Sequence, residues 1–287
     1  MTRSPYLVDT DWLFAHLDDD DIAIIDGSWY LPAMGRDGRA EYDAQHIPGA
    51  VFFDIDEIVD PASTLPHTLA SPELFARKVG ALGISNTQTI VVYDGHGLFS
   101  APRVWWNFKI MGAAKVVILD GGLPAWIADR LPIEAGAAPL YPKLFSPHPE
   151  AGAVISKTQM LDCVNSDHMQ IVDARPADRF YGTAPEPRAG IRGGHMPGAI
   201  SLPTSQVAPD GKLLNLETLK ITFEAAQIDV SKPVVTTCGS GVTAATLAFA
   251  LTSLGHPNPV LYDGSWTEWG GDPNTPIVSP ENLSSAD

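Results

Sequence analysis

The amino-acid sequence predicts an α/β protein of two tandem domains, each a mostly parallel sheet flanked by helices. Three observations lead there. Segments of the first half recur in the second, in order and 143 to 149 residues apart: "IAIID" ending at Asp26 and "QIVD" ending at Asp173, "HIPGA" at His46 and "HMPGA" at His195, "VVYDGHG" around Asp94 and "VVTTCGSG" around Cys238, "LDGG" at Asp120 and "YDGS" at Asp263. That period is a whole domain, far longer than a solenoid repeat. Within each half the apolar runs are short, continuous and β-branched, as strands buried on both faces are. Helical patterns separate them, and strand–helix alternation builds parallel sheets.

The first domain is expected at 1–135, with strands "IAIID", "AVFF", "TIVVYD" and "KVVILD". "SPELFARKVGALG" at 71–83 reads as a helix with Ser71 as N-cap, Pro72 at the first helical position and Gly83 as the stop. Residues 136–153 are rich in Pro, Ala and Gly and lack a period, which makes them the linker. The second domain is expected at 154–287, with strands "QIVD", "AISL", "PVVTT" and "PVLYD" and helices near 215–227 and 242–254. "SKTQMLDCVNS" reads as a helix that turns Met160, Leu161 and Val164 inward and buries Cys163.

Composition narrows the function. With 34 acidic against 18 basic residues the net charge is −16, which sets the chain against nucleic acid and anionic membranes. No apolar run approaches the ~18 residues of a membrane span. The start, "MTRSPYLVDTDWLF", has no signal-peptide or transit pattern, so a cytoplasmic location is expected. Two cysteines without a CxxC pair make no disulfide framework. The acidic run Asp18–Asp21 is consecutive rather than spaced as in a calcium loop, and reads as a solvated turn.

The chemistry concentrates at "VVTTCGSGVTAA". Cys238 stands at the carboxyl end of an expected central strand, where open parallel sheets place their ligands. Gly239, Ser240, Gly241, Val242 and Thr243 follow, and a helix is expected to begin near Val242. Such a loop can curl its N–H groups around the sulfur, and the helix start adds positive potential; both favour the nucleophilic thiolate. The alternative is a buried structural cysteine beside a glycine turn. Cys-x5-Arg phosphatases use a comparable cradle, but the sixth residue after Cys238 is Ala244, and the missing guanidinium argues against phosphate.

The motif "CGSGVTAA" after a strand, "GHMPGA" upstream, "YDGSWTEW" downstream and the tandem duplication together resemble the rhodanese superfamily over nearly the whole chain. Thiosulfate-using members typically carry basic residues just after the cysteine. Cys-Gly-Ser-Gly-Val-Thr, "SAPRVWW" and "SWYLPAMGRDGRAEYDAQHIPGAVFFDID" are instead similar to its 3-mercaptopyruvate-using branch. The resemblance implies that Cys238 attacks the sulfur of 3-mercaptopyruvate. Pyruvate leaves, and a persulfide passes its sulfur to thioredoxin, a small thiol or cyanide, a covalent route that the resemblance implies needs neither a metal nor an organic cofactor. Two alternatives remain: thiosulfate:cyanide transfer, and a persulfide carrier that delivers sulfur to a partner protein.

The resemblance also assigns residues. In "DARPADRFYGTAPEPRAGIRGGH", Arg179 and Arg188 match the arginines that bind the donor carboxylate. Arg175 is expected to pair with Asp173 or Asp178, and Arg192 to be a surface charge. Ser240, His67 in "TLPHTLAS" and Asp56 in "FFDID" match a Ser-His-Asp proton relay completed from the first domain. Thr68 and Ala70 depart from that pattern where Met and Pro are expected. A loop histidine and a turn-capping aspartate are the plainer alternatives for His67 and Asp56. His46 and His195, being doubled while only one half has the cysteine, are expected to fix turns. Trp29, Tyr30, Arg103, Trp105 and Trp106 are candidates to line an interdomain cleft.

Overall fold

A computed structural model describes residues 2–166 and 168–279; the last eight residues of the expected second domain lie outside the described residues. Each half forms a five-stranded sheet with every pairing parallel. The first contains β1 (Leu7–Val8), β2 (Ile22–Asp26), β3 (Val51–Phe52), β4 (Thr89–Tyr93) and β5 (Lys115–Leu119), in the order β1-β5-β4-β2-β3. The second contains β6 (Val154–Ile155), β7 (Gln170–Asp173), β8 (Ile200–Ser201), β9 (Val234–Thr237) and β10 (Val260–Tyr262), in the order β6-β10-β9-β7-β8. The two orders are the same, so the duplication seen in the sequence is a duplication of topology. The central strands β4 and β9 are sheathed by helices, which explains their unbroken apolar character.

The helix Pro72–Ala81 starts as its sequence requires: the Ser71 side chain accepts from the Leu74 N–H, and Gly83 turns the chain out at φ 87°. The helix Lys157–Ser166 buries Met160 and Cys163, but Leu161 faces solvent, one position off the buried stripe. Residues 136–153 carry no regular element, as their composition suggests, yet they are strapped down. Lys143 N–H donates to Gly80 O, His148 N–H to Met111 O and Glu150 N–H to Ile110 O, while Phe145 is buried against Phe75 and Phe108.

Two helices make the seam between the domains. Ala101–Ile110 of the first packs against Ala244–Ser253 of the second, every residue of which is buried. A helix buried all round has no polar face to keep, which explains its sequence "AATLAFALTS". Trp105 meets Phe249 edge to face at 4.9 Å, and one apolar cluster runs through both domains. No described helix is long and apolar enough to cross a membrane.

Candidate active site

Cys238 follows β9 directly and Asp94 follows β4 directly, so the two occupy one position in the duplicated fold. Their loops do different things. The Asp94 carboxylate accepts five backbone N–H groups: His96 and Gly97 on Oδ1, and Phe99, Ser100 and Ala101 on Oδ2, all at 2.7–2.8 Å. The first domain therefore fills its own anion cradle. Around Cys238 the cradle is open. The Gly241 N–H lies 3.2 Å from Sγ, and the N–H groups of Ser240, Val242, Thr243 and Ala244 have no protein acceptor among the described residues. Gly241 sits at φ 82°, and a Cβ there would lie 2.8 Å from Arg103 Nη1, so the loop requires glycine. The following helix begins at Ala244, two residues later than the sequence suggests.

A histidine reaches this loop from the other domain. His67, itself held at φ 61°, places Nδ1 2.9 Å from Ser240 Oγ and Nε2 2.9 Å from Asp56 Oδ1. With Asp56 accepting Nε2–H, the neutral ring leaves Nδ1 to accept the Ser240 hydroxyl. Trp29 fixes the far end: its Nε1–H donates to Asp56 Oδ2 at 3.0 Å, and its ring meets the imidazole edge to face at 4.7 Å. The hydrogen bond from His67, with the Trp29 donor and the Arg188 charge adding to it, holds the Asp56 carboxyl below its usual range against the opposing effect of burial. At the first-domain loop the corresponding approach comes from residues 209–211 of the second domain. There Gly211 lies so close to Gly97 that a Cβ on Gly97 would be 2.6 Å from Gly211 O. No imidazole is delivered.

The sequence gives Arg103 no role beyond lining a cleft and marks Asp263 only as a position repeated from Asp120. Both are buried, and they pair across the domain seam at 2.7 Å. Arg103 also donates to His67 O (2.7 Å) and Gly241 O (3.3 Å), and Asp263 Oδ2 accepts from Leu69 N–H (2.6 Å). One ion pair thus pins the histidine loop to the cysteine loop, with the guanidinium over the Trp106 ring at 4.7 Å. A signal was present: Arg103 is a lone charge in the apolar run "APRVWWNF", and a buried charge demands a partner. Replacing Arg103 with Met leaves Asp263 buried without its ion partner. The expected result is about 3–5 kcal/mol lower stability in a denaturant melt, and roughly 100-fold slower turnover from the mispositioned imidazole.

A cavity of about 110 Å³ opens beside Cys238, lined by Ser240, Thr243, Trp29, Arg179 and Arg188 among others. At the ~30 Å³ share of one liquid water it suits a molecule of only a few heavy atoms. Arg188 has no hydrogen-bond or ion-pair partner among the described residues. It also borders a larger open basin of about 720 Å³, whose lining includes no cysteine. Arg179 borders the Cys238 cavity, and its Nη2 would lie 3.2 Å from a Cβ on Gly239, but its guanidinium is paired with Glu186. Arg175 pairs with Asp173, as expected, and with Glu186. Arg192 is not a surface charge: it binds the carbonyls of Trp269, Gly270, Asp272 and Thr275, bolting the turn at 269–275 to its own loop. His46 and His195 each hold a backbone carbonyl and stack on an aromatic ring, Tyr42 and Phe180. Of the other cleft candidates, Tyr30 donates to Glu41 within the first domain, and Trp105 is core. No group of three or more metal-ligating side chains occurs among the described residues.

A cysteine at the end of a central parallel strand, approached by an imidazole from a second copy of the same fold, defines a duplicated α/β protein built for covalent chemistry on sulfur. The chain belongs to the rhodanese-like domain family, which it matches twice, at residues 9–129 and 156–272. It is 42% identical to the 3-mercaptopyruvate sulfurtransferase of Escherichia coli K12, over 95% of this chain and 97% of that protein. It is 39% identical to the thiosulfate sulfurtransferase of Bos taurus, over 92% and 91%. The crystal structure of SseA from Escherichia coli, described as a 3-mercaptopyruvate sulfotransferase, superposes with a TM-score of 0.85 at 41% identity, covering 93% of this chain and 99% of that one.

Proposed function

We propose that this protein is a sulfurtransferase that takes sulfur from 3-mercaptopyruvate, carries it as a persulfide on Cys238 and passes it to a thiol or to cyanide, releasing pyruvate. The observation that carries the donor assignment is the unpaired Arg188 guanidinium in the small Cys238 cavity. One planar carboxylate matches it. The next loop positions, Gly239 and Ser240, bring no further cation for a dianion such as thiosulfate. The identity to the bacterial 3-mercaptopyruvate sulfurtransferase supports the same reading.

In this reading the Cys238 thiolate attacks the donor sulfur, forming an S–S bond as the C–S bond breaks and its electron pair leaves on the pyruvate enolate. Ser240 and His67, oriented by Asp56, take the proton of the donor thiol and return it to the enolate carbon. The outer persulfide sulfur, carrying the negative charge, is received by the open N–H groups of Ser240, Val242 and Thr243, while the Gly241 N–H stays on Sγ. An acceptor thiolate or cyanide then attacks that outer sulfur and restores the Cys238 thiolate. Arg179 is a second contact for the donor carboxylate. The division into a non-catalytic domain at 1–135 and a catalytic one from 154, the choice of thioredoxin or a small thiol as acceptor, and a cytoplasmic site of action are parts of the same proposal.

The test compares donors. With cyanide as acceptor, kcat/KM for 3-mercaptopyruvate is expected to exceed that for thiosulfate, and the reverse order rejects the donor assignment. In Arg188→Ala the KM for mercaptopyruvate rises about 10- to 100-fold, the worth of a charge-assisted carboxylate contact. An unchanged KM removes Arg188 from the pocket. A carrier that serves one partner protein is recognised by turnover that fails with small acceptors.

A further inference from the structure

We infer that Glu186 sets the charge of the donor pocket and so makes the site selective for singly charged donors; its donor-ratio arm rests on the mercaptopyruvate reading above. Three arginines line the Cys238 cavity, Arg175, Arg179 and Arg188, the Arg175 side chain being itself fully buried. Two carboxylates answer them. Asp173 takes Arg175 through Nε and Nη2, and Glu186 lies between Arg175 and Arg179. Glu186 accepts from Arg175 Nη1 at 2.7 Å and from Arg179 Nε at 3.2 Å, with a second contact to Arg179 Nη2. Its side chain is only 4% exposed, so both pairs lie where water screens them weakly. Among these arginines and the carboxylates hydrogen-bonded to them, three positive and two negative charges leave one positive charge, on Arg188, which no carboxylate bonds and which the Asp56 carboxylate feels only at a distance. A monocarboxylate balances it; a dianion does not.

The first domain holds a comparable pair with no chemistry to serve. Arg36 grips Glu41 by two hydrogen bonds (2.8 and 2.7 Å), and its Nη2 would lie 3.3 Å from a Cβ on Gly95. Gly95 is the residue after Asp94, as Gly239 is the residue after Cys238. An Arg–Glu pair beside this glycine is therefore part of the duplicated framework. It follows that Arg179 enters the catalytic site with its charge already matched. Glu186 touches neither Cys238 nor the cavity itself, and it acts through the lining residues Arg175 and Arg179 as a specificity-determining residue.

Two measurements on the full chain test this. The first needs no donor. Cys238 displaces iodide from iodoacetate, an anion, or from iodoacetamide, a neutral molecule of similar size, and the ratio of the two alkylation rates reads the potential at the sulfur. In Glu186→Gln, which keeps the shape and loses the charge, the iodoacetate-to-iodoacetamide ratio is expected to rise about five- to tenfold at low ionic strength, and the gain to shrink with salt. Glu186→Asp, which keeps the charge, is expected to leave the ratio within about twofold of the parent. An unchanged ratio in Glu186→Gln, or a rise as large in Glu186→Asp, overturns the inference. Should Glu186→Gln not fold, Arg179→Gln carries the test in the opposite sense: Glu186 then lacks its match and the ratio falls, whereas an unchanged ratio overturns the inference. In the second measurement, kcat/KM for thiosulfate relative to mercaptopyruvate rises in Glu186→Gln by a similar factor, and an equal loss for both donors speaks for a merely structural role. If the parent releases no pyruvate, the functional reading fails while the alkylation ratio still judges Glu186.

Discussion

Cys238→Ser is expected to abolish pyruvate release from mercaptopyruvate, with at least about a 10⁴-fold loss in kcat, because no other group at the site can carry a transferable sulfur. A serine alkoxide would have to form in place of a thiolate, and it has no sulfur chemistry to offer the donor. The remaining parts of the site are already engaged. Ser240 is bonded to His67, Asp56 to His67 and Trp29, and Arg179 to Glu186. The other cysteine, Cys163, is buried in the helix Lys157–Ser166 beside Met169 and His168, and burial raises its thiol pKa, which favours the unreactive form. The substitution changes one atom in a pocket that keeps its shape, so stability should change by less than about 1 kcal/mol. The check is a pyruvate-coupled assay with a melt on the same sample. Turnover within about tenfold of the parent would show that the covalent step lies elsewhere.

The second large effect belongs to the half without the nucleophile. Asp94→Ala removes the acceptor of five backbone N–H groups, those of Gly97, Ser100 and Ala101 buried, and leaves a hole in a loop at the domain seam. At ~1–3 kcal/mol for each unsatisfied buried donor, partly relieved by relaxation, the expected cost is about 3–5 kcal/mol. That corresponds to a fall of roughly 10 °C in Tm for a chain of this size. Asp94→Asn keeps the Oδ1 acceptor and should cost about half as much. Per folded molecule, turnover should stay within a few-fold of the parent, because Asp94 does not border the Cys238 cavity. A melt that does not move would mean that the carboxylate is not what closes this cradle. Burial pushes nearby Asp26 up to about 6, whereas its counterpart Asp173 has Arg175 beside it. The two halves have kept one topology and diverged in how they neutralise it.

Much of this was legible in the chain. The repeat spacing fixed two copies of one fold, and the copies have identical strand orders. The cysteine at the end of a β-branched run followed by glycines pointed to the right loop, because strand ends and positive-φ glycines leave local signatures. His67, Ser240 and Asp56, far apart in sequence and suggested by family resemblance, meet within hydrogen-bonding distance. Pairings that depend on which domain face meets which were not legible. Arg103 finds Asp263 160 positions away, with no local spacing to announce it; Glu186, only seven positions from Arg179, was missed because nothing in that loop distinguishes it from the neighbouring acidic residues. The edge strands Leu7–Val8 and Val154–Ile155 are two residues long, too short for periodicity to register. Leu161 was misplaced by one position on its helix, since an apolar residue beside a buried stripe reads the same as one within it.

The central claim is that sulfur leaves its donor onto Cys238. Its most direct measurement is the intact mass of the protein after a single equivalent of 3-mercaptopyruvate without acceptor, with the modified residue located by peptide mapping. The account predicts a gain of one sulfur atom on Cys238, one pyruvate released per chain, and return to the starting mass when cyanide is added. Pyruvate released with no added mass, or added sulfur on Cys163 in place of Cys238, would contradict it.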